Sequence, residues 1–336
     1  MSSDRVRRFL SLAGTAACVA ASAVVLVTAQ AAPLRLVSTA WPPFTNASGQ
    51  PRFALDLVEA ALGRVGLKST TAIVEPAAFT AALLGEFDGS AAAWRDAERE
   101  RALLFSQPYL ENRLVLIARK GTDVSAATLA ALKGKRVAIV DGYSYGDIES
   151  AGPVFVRTKN EEDGLTQLLA SRVDYVLMDE LVIQYLVSNY EKEAQTRLDI
   201  GRIALVKRPL YLAIRRSRPD SESIISRFNA QLQGMIADRT YHRLLHVEWI
   251  RADMNGDGVD DYVPQSDSAG AAEPQRAYQL FSGDKPTPTT NTSKPGFYIG
   301  GNTYTDWASV PDRYKVQDPQ NPDSRRSTAS VFKFVW

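Results

Sequence analysis

Arg113-Leu114-Val115-Leu116-Ile117-Ala118-Arg119 and Leu210-Tyr211-Leu212-Ala213-Ile214-Arg215-Arg216 are two long extended runs. They bracket a self-contained stretch of about 90 residues in which short β-branched segments alternate with helical patterns. Two such runs on either side of an α/β unit read as the two crossings of a hinge, near 113–119 and 208–216. The chain then builds a first lobe from residues 33–116 and a second from 117–209, and it returns through 210–250 to complete the first with helices near 219–247. One larger open sheet is the alternative, which periodicity alone leaves open.

Outward from the runs the same alternation continues, the signature of an α/β architecture with largely parallel sheets. Strands are predicted at Leu34–Ser38, Thr70–Glu75, Gly89–Ala93, Arg136–Val140, Val154–Arg157 and Tyr175–Met178. In the predicted helix Ala54–Val65, Leu55, Leu57, Val58, Ala61, Leu62 and Val65 follow i, i+3, i+4 spacing, and Gly66 supplies a terminator. Another helix opens at Glu161, with Asn160 as N-cap and Glu161, Glu162 and Asp163 favouring its dipole.

Both ends differ from this body. Arg5, Arg7 and Arg8 precede an apolar run from Phe9 to Val27 and then Ala29-Gln30-Ala31, which reads as a secretory signal peptide over residues 1–31. Cys18 is the only cysteine and lies inside it, so the expected mature chain has no thiol for a disulfide, a metal-thiolate site or a nucleophile. Three of the 39 basic and one of the 38 acidic residues fall in that segment, leaving 36 against 37. A chain this balanced gives no basic face for nucleic acid. Beyond Trp249, eight of the 17 prolines fall between Val263 and Trp336 and helical periodicity stops. Residues 265–336 therefore read as an irregular appendage, linker at Gln265–Pro274 and Asp284–Pro295 with a short aromatic β module at Gly296–Val316.

A succession of short motifs gives the body a family likeness. Trp41-Pro42-Pro43-Phe44 stands after the first strand, Phe53-Ala54-Leu55-Asp56-Leu57 opens the first helix, and Gly85-Glu86-Phe87-Asp88 precedes the third strand. Ala97-Glu98-Arg99 is followed at a six-residue interval by Phe105-Ser106-Gln107-Pro108-Tyr109. Lys133-Gly134-Lys135-Arg136-Val137, Val173-Asp174-Tyr175 and Met178-Asp179-Glu180 mark the second lobe. In order and spacing this resembles the family-3 extracellular solute-binding proteins, the polar amino-acid receptors of ABC importers. The resemblance implies a two-lobed type II periplasmic-binding-protein-like α/β fold with two hinge crossings, carrying here a small irregular or β C-terminal appendage. It also implies a periplasmic, monomeric protein that presents a small polar, amino-acid-like solute to an inner-membrane ABC permease, with no required cofactor and no enzymatic role.

A free amino acid presents a carboxylate, an ammonium and a side chain. Arg99 offers the planar fork that takes a carboxylate through two parallel bonds, and by resemblance it is the family's carboxylate-binding arginine. A solvated arginine on a charged helix is the alternative, with Arg95 and Arg101 nearby. Asp179 ends the apolar run Tyr175-Val176-Leu177-Met178, where α/β ligands gather, and by resemblance it receives the ammonium. Capping the helix Glu180–Tyr190 is its alternative role. The two charges are expected to face each other across the cleft, and their removal is expected to leave the fold intact. The loop Asp141-Gly142-Tyr143-Ser144-Tyr145-Gly146 adds backbone N–H groups, the Ser144 hydroxyl and the Tyr143 ring, while Trp41 and Trp94 add apolar wall.

Two departures from the family pattern are visible. Ala91-Ala92-Ala93-Trp94 replaces small hydroxyl residues, and Asp96 replaces a threonine three residues before Arg99, which points to a ligand smaller, more aromatic or more cationic than histidine or glutamine. A periplasmic dehydratase-like enzyme and a sensor or assembly module are the other classes for this fold. His242 and His246 stand one turn apart and read as a surface pair, with no third ligand evident for a metal. Finally, Asp253, Asn255, Asp257 and Asp261, with the Val259 carbonyl, alternate oxygens around Gly256 and Gly258 as a calcium loop over residues 251–264 requires.

Overall fold

Alternation of strand and helix carries through the computed structural model, in which residues 32–316 are described apart from 190–193, 195, 269, 275, 276 and 281–293. The predicted signal segment, Cys18 and most of the predicted linker 284–295 lie outside the described residues. In chain order the elements are β1 (Leu34–Thr39), α1 (Phe53–Arg64), β2 (Ser69–Val74), α2 (Pro76–Gly85), β3 (Gly89–Trp94), α3 (Arg99–Ala102), β4 (Leu103–Phe105) and β5 (Leu110–Arg119). Then follow β6 (Arg136–Val140), β7 (Val154–Thr158), α4 (Glu161–Leu169), β8 (Tyr175–Asp179), α5 (Glu180–Asn189), β9 (Leu198–Ile200) and β10 (Val206–Arg215). Last come α6 (Ser221–Ala237), α7 (Thr240–Leu245), β11 (Trp249–Ala252), β12 (Asp261–Pro264), β13 (Tyr278–Gln279), β14 (Phe297–Ile299) and β15 (Asn302–Tyr304).

Local chemistry accounts for these boundaries. Helix α1 buries Leu55, Leu57, Val58, Ala61 and Leu62 on one face. It stops where Gly66 takes φ +72° and its N–H bonds the Gly63 carbonyl while Leu67 N–H reaches the Leu62 carbonyl. Those are the two bonds of a Schellman motif. Helix α4 starts at Asn160, whose side chain accepts from the Asp163 N–H at 2.9 Å.

Ten strands join one sheet in the order β2-β1-β3-β10-β5-β8-β6-β7, with β4 on β10 and β9 on β5. Strands β1, β2 and β3 run parallel in one half, and β6, β7 and β8 run parallel in the other. Between the halves β5 and β10 pair antiparallel, Leu110–Leu114 against Val206–Leu210. The crossing thus overlaps the start of the predicted crossings at 113–119 and 208–216 and extends a few residues before each. Their apolar parts are where β5 pairs β8 and β9, and β10 pairs β3 and β4. The crossing itself carries Glu111, Asn112, Lys207, Arg208 and Pro209, which a search for apolar runs passes over.

The appendage is more ordered than predicted. Strands β11 to β15 form a second sheet in the order β13-β11-β12-β14-β15, with its own core of Trp249, Phe297, Ile299 and Val310. Within the predicted linker 265–274, Ala271 exchanges backbone bonds with Tyr314 and Val316, and Asp267 pairs with Arg239 at 2.7 Å. The predicted surface pair of histidines is also corrected. His242 is fully buried and its Nε2–H donates to the Val263 carbonyl at 3.0 Å, tying α7 to β12, whereas His246 is exposed in a left-handed C-cap. Burial first, helped by the nearby Arg239 and Arg243 charges, outweighs the Val263 hydrogen bond and the Asp267 charge and pushes His242 down to about 4. Among the described residues no helix is long and apolar enough to cross a membrane.

Candidate functional site

Four rings meet where the two halves of the large sheet approach each other. Trp41 comes from the turn after β1, Trp94 from the end of β3, and Tyr143 and Tyr145 from the loop after β6. Trp94 lies 5.5 Å from Trp41, 5.8 Å from Tyr143 and 5.4 Å from Tyr145, all edge to face. Trp41, Trp94 and Tyr145 are buried, and the Tyr143 hydroxyl lies 3.3 Å from Thr39 Oγ1 across the gap. Gly142 permits this approach. Its φ is +79°, and a Cβ there would stand 2.7 Å from the Pro76 carbonyl oxygen at the start of α2.

The rings divide two cavities. One is lined by all four rings together with Glu161, Asp179 and an apolar floor from β6 and β8, and no lysine, arginine or histidine lines it. The other has Trp41, Trp94 and Tyr143 as its shared wall and contains Arg99 and Ser144. All six predicted binding residues therefore reach the cleft region. The structure places Arg99 and Asp179 in separate cavities, however, with Trp41, Trp94 and Tyr143 lining both.

Asp179 is 2% exposed. Its Oδ1 accepts from the N–H groups of Leu181 (2.8 Å) and Val182 (3.4 Å), and its Oδ2 from Arg113 N–H (3.0 Å) and Asn112 Nδ2 (3.2 Å). It thus caps α5 and faces the cavity at once, so the expectation that its removal leaves the fold undisturbed is corrected. Asn112 is fully buried and its Oδ1 accepts from Trp94 Nε1 at 2.7 Å, linking ring, hinge strand and carboxylate. Glu161, at the first turn of α4, is 9% exposed and bonds the Tyr143 hydroxyl. Burial dominates both acids, and each carboxyl is pushed up to about 7; the neighbouring Asp179 charge adds to the rise at Glu161.

Arg99 is 6% exposed and its nitrogens are already engaged. Nη1 donates to the Trp94 carbonyl at 3.1 Å, Nη2 to the Gly142 carbonyl at 3.5 Å, and Nε stands 3.5 Å from Asp96 Oδ2. The guanidinium also lies over the Phe79 ring at 5.5 Å. Asp96 further accepts from Arg99 N–H at 2.8 Å and from the Ser144 hydroxyl; against the opposing effect of burial, these bonds and the Arg99 charge hold its carboxyl below the usual range.

Asn112, Tyr145 and Glu161 escape the sequence reading. Asn112 lies just outside an apolar run, and Glu161 reads as an ordinary helix-dipole acid. The aromatic spacing of Tyr143 and Tyr145 is the one signal that could have drawn the loop's second ring into the site.

The residues of the predicted calcium loop are held by one another. Asp253 accepts from Gly256 and Gly258 N–H, Asn255 from Asp257 N–H and Asp257 from Val259 N–H, while Asp261 is buried against Gly296 N–H at 2.8 Å and Thr303 Oγ1 at 3.4 Å. Among the described residues no three His, Cys, Asp or Glu side chains gather as a metal ion requires.

A split α/β sheet crossed twice by the chain, with an aromatic and acidic cavity between its halves, is the build of a protein that closes on a small solute. Residues 35–252 match the bacterial extracellular solute-binding proteins, family 3, and the chain belongs to that family. It is 29% identical over 154 residues to ABC transporter arginine-binding protein 1 of Escherichia coli K12, covering 44% of this chain and 59% of that protein. L-cystine-binding protein TcyJ of the same strain is 27% identical over 160 residues, covering 47% and 57%. The match thus spans less than three fifths of the length of each curated relative. Among solved structures, an ancestral arginine-binding protein bound to arginine superposes with a TM-score of 0.53 at 26% identity, over 63% of this chain and 96% of that one. The GluR0 ligand-binding core from Nostoc punctiforme, at 22% identity and a TM-score of 0.52 over 63% and 97%, shares the fold. The family and these curated relatives are binding proteins, so the dehydratase alternative is not favoured.

Proposed function

We propose that this chain is a periplasmic receptor that captures a small polar solute related to the amino acids between its lobes and presents it to an inner-membrane ABC permease. The observation that carries the reading is the aromatic cavity at the junction of the two half-sheets, with Asp179 buried at its edge and hydrogen-bonded to hinge strand β5. A ligand there would touch residues from both halves only in the closed form, and so would favour closure. The relatives named for arginine and cystine support an amino-acid-like ligand, and residues 1–31 support export. A thermal-shift screen of amino acids, amines and small carboxylates on the mature chain, followed by calorimetry, tests it. A ligand at a hundred times its Kd adds about 2.7 kcal/mol to the native state. No shift with any of these classes would end the proposal.

A further inference from the structure

The cavity between the half-sheets carries two carboxyl groups and has no basic group on its wall. Glu161 and Asp179 reach it from neighbouring elements of the same lobe, the first turn of α4 and the end of β8, and both are at least nine-tenths buried. Four aromatic rings make up much of the remaining wall, the surroundings in which an organic cation is held by ring faces as well as by carboxylates. The cation that a ligand carboxylate would seek, Arg99, lies in the other cavity behind Trp41, Trp94 and Tyr143. Its charge is answered there by Asp96, and its nitrogens already face the Trp94 and Gly142 carbonyls. A ligand carboxylate placed among the four rings would be desolvated beside two acids with no donor fork in reach. A second positive charge would find Glu161.

We propose that the interlobe cavity selects a small amine without a carboxylate, a diamine or a guanidino-amine, and that Glu161 is the specificity-determining residue that receives its second positive charge beside Asp179. This rests on the reading that the interlobe cavity is the ligand site.

The test pairs compounds that differ only by the carboxylate: cadaverine against lysine and agmatine against arginine, titrated by calorimetry into the full mature chain. Each amine is expected to bind roughly tenfold or more tightly than its parent amino acid. Glu161→Gln is expected to weaken the amines by roughly 30-fold or more, because a ligand charge would lose its buried partner. Glu161→Asp, which keeps the charge, is expected to retain part of that affinity, so a loss from misfolding is told apart by circular dichroism and by this second variant. Tighter binding of lysine or arginine than of their amines would overturn the inference while leaving an amino-acid receptor in place. Unchanged cadaverine and agmatine affinity in Glu161→Gln would remove the role given to Glu161. Failure of amines and amino acids alike would overturn this inference, whereas the proposed function falls only if the wider screen with small carboxylates fails as well.

Discussion

Closure of the lobes is tested most directly at Gly142. Alanine there meets two separate costs. The backbone holds φ +79°, a left-handed conformation that costs an L-residue about 1–2 kcal/mol whether the lobes are open or closed. The added Cβ would also stand 2.7 Å from the Pro76 carbonyl oxygen, inside ordinary contact distance, and this clash exists only when the halves meet. Overpacking of this kind costs roughly 1–3 kcal/mol, so the closed state should lose roughly 5- to 150-fold in population. Gly134 separates the two effects, because its φ is +77° and a Cβ there has nothing within 4 Å. Gly134→Ala should therefore lose stability in denaturant titration without losing ligand affinity. Gly142→Ala should lose both, and small-angle scattering with ligand should retain more of the open profile. Equal ligand affinity in the two variants would refute the idea that the Gly142–Pro76 contact belongs to the closed state.

Three further outcomes follow from the site and the appendage. Asp179→Ala removes the cap of α5 and the acceptor for Arg113 and Asn112, and should cost about 1–3 kcal/mol in urea unfolding besides abolishing binding, so an unchanged midpoint would contradict its capping role. His242 is a base whose folded value, about 4, lies below its unfolded 6.5. It therefore contributes stability above pH 6.5 that is lost as pH falls through about 4, on the order of 3 kcal/mol at most, and His242→Gln should differ from the parent less at pH 4.5 than at pH 7. Glu161 and Asp179 act in the opposite sense, since acids raised to about 7 favour the fold below their unfolded values and lose that advantage as pH climbs to 7. For the loop 253–261, Asp253, Asn255, Asp257 and Asp261 are the proposed calcium ligands, so millimolar calcium added to chelator-treated protein should raise the melting temperature; an unchanged melting temperature would end that reading.

Much of the fold is legible in the chain because period and punctuation agree. Strands placed by β-branched runs fall within a residue or two of the observed ones, and Gly66 and Asn160 end and begin helices as their chemistry dictates. The hinge begins a few residues before its predicted place because its crossing is largely polar, and hydrophobic pattern marks mainly the segments beyond it. The appendage reads as part linker, with a β module only at 296–316, for a related reason. Its small sheet is held by backbone pairing and three facing rings, Trp249, Phe297 and Trp307, which have no period for a sequence window to find. His242 looks exposed in sequence because its burial depends on β12, which reaches it across 21 positions of chain.

The site was legible as a set of residues and not as an arrangement. Arg99, Asp179, Trp41, Trp94, Tyr143 and Ser144 all reach the cleft region, yet Arg99 and Asp179 line separate cavities while Trp41, Trp94 and Tyr143 line both. The substitution of an acid for the threonine of the family pattern moves the counter-charge of Arg99 inside the protein. With Asp96 beside it, the arginine cavity is close to neutral, while the aromatic cavity holds two acids and no base. A zwitterion leaves that imbalance as it found it, whereas each added positive charge removes some of it. At an effective dielectric near 20, two unit charges about 4 Å apart interact by about 4 kcal/mol, enough to set the ligand's charge before its shape is considered. The identity of residue 96, three positions before an otherwise familiar arginine, is therefore the feature by which this chain departs furthest from a receptor that reads both ends of an amino acid.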